Sequence, residues 1–162
     1  NEVAPGFFAA FPSMTALARA KPADLHPLLQ SVRNFGNKAA WLCEIGRSLQ
    51  TDEAIPQTLE TLTALKGIGR KSANVILRES GRKAEGIIVD LHVVRVAPRL
   101  GITTATRPEK IEEDLMAHVD PSDWGEIGMA LSFLGREICR PTTPHCGECP
   151  LKAACAFKGK TG

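Results

Sequence analysis

The sequence predicts an all-α protein, and three observations lead there. Apolar residues recur at helical spacing along nearly the whole chain, a single short run reads as extended, and the connections between periodic segments are short. The 162 residues allow one domain or two small lobes, with enough apolar content to close a core. No run approaches the length of a membrane span, and there are no internal repeats or low-complexity tracts.

Taken in order, residues 37–49 set Ala40, Trp41, Ile45 and Leu49 on one stripe, with Cys43 among Trp41, Leu42 and Ile45 as a packing residue. Leu59, Leu62 and Leu65 recur at threes in a second helix. The extended candidate is Gly86-Ile87-Ile88-Val89, too solitary to build a sheet. Thr106 followed by Pro108 and Glu109 reads as a capping box opening a helix to about Val119, with Ile111, Leu115 and Val119 facing inward. Pro121 and Ser122 start the next helix, in which Trp124, Ile127, Leu131, Leu134 and Ile138 form the core stripe.

A formal net charge of +2 does not announce a nucleic-acid partner, but its distribution is uneven. Residues 66–83 hold Lys66, Arg70, Lys71, Arg78, Arg82 and Lys83 against Glu79 alone, a local +5 that leaves −3 elsewhere. Inside this segment, Leu65-Lys66-Gly67-Ile68-Gly69-Arg70-Lys71-Ser72-Ala73 places two glycines one residue apart between helical stripes. Such a hairpin turns sharply at positive φ and lets a phosphate approach backbone N–H groups, at a helix start whose dipole attracts anions.

Four cysteines, Cys139, Cys146, Cys149 and Cys155, follow a C-x6-C-x2-C-x5-C spacing. Four soft thiolates in a short loop select zinc or an iron–sulfur cluster, and the spacing leaves both open, because only Cys146 and Cys149 form a close pair. The absence of a signal peptide and the isolated Cys43 point to a reducing, intracellular compartment, which favours metal over disulfides.

The hairpin, then Val89-Asp90-Leu91-His92-Val93-Val94-Arg95-Val96, then the four cysteines resemble the endonuclease III family of helix-hairpin-helix DNA glycosylases. That family's pattern is L-P-G-V/I-G-R-K-S/T-A-N, V-D-T-H-x-x-R-V and the same cysteine spacing, in the same order. Phe35-Gly36-Asn37-Lys38-Ala39 is similar to its Y-N-S-K-A stretch, so the resemblance spans almost the whole chain.

The resemblance implies two helical lobes gripping DNA in a cleft: residues 1–84 with the hairpin, and residues 85–162 with the cluster loop. It implies base-excision repair by a bifunctional DNA N-glycosylase and apurinic/apyrimidinic lyase acting on oxidised pyrimidines in double-stranded DNA. Lys71 would be the nucleophile that forms a Schiff base, and Asp90 the carboxylate that stabilises charge on the sugar and shuttles a proton. Cys139, Cys146, Cys149 and Cys155 would hold a 4Fe-4S cluster that clamps a loop containing Arg140 against the DNA backbone, leaving His92 and His145 as polar fillers. The remaining DNA contacts would be Gly67, Ile68, Gly69, Arg70, Ser72, Lys38 and Asn34. A monomer in the cytoplasm or nucleoid is expected.

The chain departs from the pattern at Lys66, where proline is usual, and at Leu91, where threonine is usual. Asn34 stands where an apolar wedge is expected, so it is read as a hydrogen-bonding partner for the orphan base. The chain opens at Asn1 in what looks like the middle of the family's helical domain, without the upstream helix that in the family supplies polar groups to the gap left by the flipped-out base. Two other readings fit the same motifs. One is a monofunctional glycosylase of the adenine or mismatched-thymine type, against which Lys71 argues; the other is a non-catalytic iron–sulfur DNA-binding module.

Overall fold

In a computed structural model that describes residues 2–161, the described residues form nine α-helices and no strand. They are α1 (Ala4–Ala10), α2 (Met14–Arg19), α3 (Pro22–Leu29), α4 (Phe35–Leu49), α5 (Leu59–Thr63), α6 (Arg70–Glu79), α7 (Leu91–Leu100), α8 (Pro108–His118) and α9 (Trp124–Glu137). The chain divides into two compact units, Asn1–Gly69 and Arg70–Gly162. Residues 70–84, grouped with the first lobe in the sequence reading, therefore fall in the second unit. Among the described residues, no helix is long and apolar enough to cross a membrane.

The first unit closes around Leu17, Ala20, Leu25, Leu29, Ala39 and Cys43, contributed by α2, α3 and α4. Ser13 caps α2 by accepting a hydrogen bond from the Ala16 N–H, and the Asp24 carboxylate accepts one from the Lys21 N–H at the start of α3. The buried line of α4 is Ala39, Cys43 and Gly46, one position round from the stripe read in the sequence, and Ala40 is exposed. The cause is close packing. A Cβ on Gly46 would lie 2.7 Å from the Ala18 backbone nitrogen, so α2 and α4 meet where the side chains are smallest.

The second unit closes around Ile87, Val89, Val93, Val96, Ala97, Ile111, Leu115 and Leu131. The Gly86–Val89 run is buried without a strand partner, because it threads along α9: a Cβ on Gly128 would stand 2.5 Å from the Ile88 carbonyl oxygen. Helix α8 begins at Pro108 with Arg107 as N-cap and no side-chain cap, so the expected Thr106 capping box does not form. Its inward residues Ile111 and Leu115 are fully buried as expected, and Glu112 is buried beside them. Trp124, Ile127, Leu131 and Leu134 of α9 pack into or against the core as the sequence predicts, while Phe133 stays 51% exposed. The buried small residues of this helix, Gly128, Ser132 and Gly135, were not in that stripe.

Candidate nucleic-acid site and cysteine loop

Gly67 takes the left-handed conformation, φ +82°, between α5 and α6 in sequence. It also lies under an indole: a Cβ there would be 2.4 Å from Cε3 of Trp41. Gly69 has ordinary φ, and a Cβ on it would meet nothing within 4 Å. Within the same unit Asn34, at φ +64°, is the N-cap of α4 and Lys38 lies one turn on, its N–H donating to the Asn34 carbonyl at 3.2 Å. Both side chains are exposed.

In the second unit Lys71 lies in the first turn of α6 with its side chain exposed. It makes no hydrogen bond or ion pair among the described residues. Lys71 and Asp90 line one open pocket of about 430 Å³ with Val89, Leu91, His92 and Pro108. Leu91 is 84% exposed at its rim.

Asp90 is the N-cap of α7, its backbone extended so that Oδ1 accepts from the N–H groups of His92 at 2.8 Å and Val93 at 3.0 Å. The Ser132 hydroxyl of α9 donates to Oδ2 at 2.6 Å. Burial pushes the Asp90 carboxyl up, but the hydrogen bonds from Ser132, Val93 and His92 outweigh it and hold the group below the usual carboxylate range.

A second buried network fixes the turn that carries Lys71. The Glu112 carboxylate, 4% exposed, accepts from Arg70 Nε at 2.5 Å and from Asn74 Nδ2 at 3.1 Å. Gly86 makes room for it, since a Cβ there would lie 2.1 Å from Glu112 Oε1. Arg70 is thus partly committed within the protein, while its neighbour Ser72 is exposed. Arg78 is also spoken for, by Glu79, Glu126 and the Gly125 carbonyl, which trims the positive field read from the sequence.

The four C-terminal cysteines line one small apolar cavity together with Leu134, Ile138 and Phe157. None is in a disulfide. They ring the cavity without drawing together, among the described residues, into a site for a single metal ion. Two donors already point at sulfur: Arg99 Nη1 lies 3.4 Å from Cys139 Sγ, and the Phe157 N–H lies 3.5 Å from Cys155 Sγ. An apolar cavity walled by four thiols with N–H donors behind them fits a polynuclear iron–sulfur group. Arg95 and Arg99 of α7 hold the loop by its carbonyls, Arg95 through Gly135 and Cys139, Arg99 through Arg140 and Pro141. The exposed Arg140 side chain donates to the Glu137 carbonyl. His92 is paired with Arg95 at 3.2 Å.

The residues singled out in the sequence lie in short local motifs, whereas the side chains that hold Asp90, the Lys71 turn and the cysteine loop do not. Ser132, Glu112 and Arg99 act on partners about forty positions away, and no local motif contains them. A sequence signal existed for Ser132: Gly128, Ser132 and Gly135 follow i, i+4, i+7, a stripe of small residues on one face of α9.

A hairpin of this kind, an exposed amine beside an ionised carboxylate, and a four-thiol loop together define a helix-hairpin-helix DNA-repair scaffold. Residues 1–121 match the family model described as HhH-GPD superfamily base excision DNA repair protein. Endonuclease III of Synechocystis sp. is 37% identical over 157 residues, covering 96% of this chain and 72% of that protein. Endonuclease III of Thermotoga maritima is 39% identical over 148 residues, covering 90% and 69%. Among solved structures, a trapped endonuclease III–DNA covalent intermediate in an estranged-adenine complex superposes with a TM-score of 0.86 at 28% identity, covering 96% of this chain and 74% of that one. The chain belongs to the endonuclease III family of base-excision DNA-repair proteins, a family that generally carries a 4Fe-4S cluster.

Proposed function

We propose that this chain is a bifunctional DNA glycosylase and apurinic/apyrimidinic lyase that removes oxidised pyrimidines from double-stranded DNA, with Lys71 as nucleophile and Asp90 as its electrostatic partner. The observation that carries this reading is an exposed primary amine, without a hydrogen-bond or ion-pair partner among the described residues, lining one pocket with a carboxylate whose hydrogen bonds favour its ionised form. The trapping of a structural relative as an endonuclease III–DNA covalent intermediate supports it.

The chemistry follows from those two groups. Unprotonated Nζ bonds to C1′ of the deoxyribose as the bond from C1′ to the base breaks, and the base departs with that electron pair and takes up a proton. The sugar ring then opens at O4′ to leave an iminium between C1′ and Nζ. Loss of a C2′ proton from the iminium expels the 3′ phosphate, and water releases the lysine. The Asp90 carboxylate offsets the positive charge that builds on the sugar as the base leaves.

The target nucleotide must first be extruded, at a cost of about a few kcal/mol. Asn34 is suited to hydrogen-bond the orphan base. Lys38, Ser72, Arg70, Arg140 and the Gly67-Ile68-Gly69 backbone hold phosphates independently of sequence. Cys139, Cys146, Cys149 and Cys155 would hold the 4Fe-4S cluster, which supplies a covalent cross-link between the end of α9 and the C-terminal loop. The protein acts as a monomer at the nucleoid.

Borohydride reduction with abasic-site duplex tests the reading. The wild-type chain is expected to give a covalent adduct, and Lys71→Ala to abolish it while retaining DNA binding. A wild type that gives no adduct overturns the proposal.

A further inference from the structure

From the hydrogen bonds at the head of α7 we infer that Ser132 is a positioning residue for the reaction, its buried hydroxyl clamping the second oxygen of Asp90 so that the carboxylate serves as a fixed anion and carries no proton. The inference rests on the reading of Asp90 as the electrostatic partner of Lys71.

The carboxylate has two oxygens, and both are engaged. Two backbone N–H groups donate to Oδ1 at 2.8 and 3.0 Å, and the Ser132 hydroxyl donates to Oδ2 at 2.6 Å, the short length typical of a bond to a charged acceptor. Protonating Oδ1 would set an O–H against two N–H donors. Protonating Oδ2 would force the Ser132 hydroxyl to become an acceptor and redirect its own proton, at a position only 2% exposed. Donors arranged this way favour the ionised form at both oxygens.

Packing shows that Ser132 is held in place to do this. It lies on α9 between Gly128, pressed against Ile88, and Gly135, where a Cβ would be 2.8 Å from the His92 Cβ. The two glycines let α9 approach the segment around Asp90 closely enough for a short side chain to reach it. The hydroxyl has no other partner than Asp90 among the described residues.

Among the described residues, Lys71 of α6, His92 of α7 and Pro108 of α8 line the same pocket as Asp90, and α9 supplies the Ser132 hydroxyl. His92 is the ionisable neighbour on the same helix, and the test is run with and without His92→Asn.

The test combines a direct titration with a rate measurement. The Asp90 carboxyl carbon is followed by NMR against pH in the wild type, Ser132→Ala and Ser132→Thr, and single-turnover cleavage of abasic-site duplex is measured over the same range. Ser132→Ala removes one oxygen and opens no large cavity; thermal melting checks that it folds. The Asp90 midpoint is expected to rise by about one unit, and the rate ratio of wild type to variant to grow toward about tenfold as pH falls below both midpoints. Ser132→Thr, which keeps the hydroxyl, is expected to return both readouts toward wild type. An unmoved midpoint, or a loss of rate equal at every pH, overturns the role of Ser132. A wild type that cleaves no abasic site overturns the underlying function instead, and the NMR midpoints still report on the hydrogen bond.

Discussion

Gly67 and Gly69 sit in one turn and carry different duties. Gly67 has the positive φ and the indole overhead; Gly69 has neither, and a side chain there would meet open space. Gly67→Ala therefore combines a left-handed alanine with a clash against Trp41. It is expected to destabilise the chain by about 3 kcal/mol, read as a lower urea midpoint at unchanged slope. The glycine pair, Lys71, Asp90 and the four cysteines stand out in the sequence because each lies in a short motif. What Trp41 does is not legible there, because its partner is 26 positions away and an indole at helical spacing reads as core.

At the scale of elements, α9 shows why periodicity finds half of a helix. The pattern registers Trp124, Leu131 and Leu134, which fill space, and passes over Gly128 and Gly135, which leave it. Yet the small face decides how close the Ile87–Val89 segment and α7 can come, and so whether Ser132 reaches Asp90. Gly128→Val would drive a side chain into the Ile88 backbone, which cannot swing aside, and is expected to cost about 3 kcal/mol with Asp90 displaced. Gly125→Ala on the same helix, where the new Cβ meets only the Ala84 Cβ at 3.8 Å, is the control; it is expected to be neutral or stabilising by about 0.5–1 kcal/mol. Chemical denaturation of the two variants side by side measures the contrast. The α4 line misread as Ala40 and Trp41 has the same origin, since Ala39 and Gly46 mark the close approach to α2.

At the scale of the whole molecule, the half-buried Asp90 carboxyl in the second unit and the buried Cys43 thiol in the first tie stability to pH in opposite directions. Asp90 has its pKa lowered in the folded state, so its contribution is fully present above the ordinary carboxylate pKa of about 3.9 and is lost as pH falls through the folded value. Cys43 in the first unit behaves oppositely: burial pushes the thiol up, so its contribution is present below the ordinary thiol pKa of about 8.5 and is lost as pH rises above it. Stability is therefore expected to plateau between these edges. Urea melts across pH check this, with Asp90→Asn flattening the acid edge and Cys43→Ala the alkaline one.

Helix α7 spans ten residues, about 15 Å, with Asp90 at its head and Arg99 near its tail gripping the carbonyls of the sulfur-bearing loop. The helix is a strut footed on that loop. Thiol oxidation would loosen the footing, unseat both arginines and let the far end fray, so damage to the loop would reach the anion one helix length away. A protein whose family mends DNA would then lose its grip on chemistry before it lost its shape.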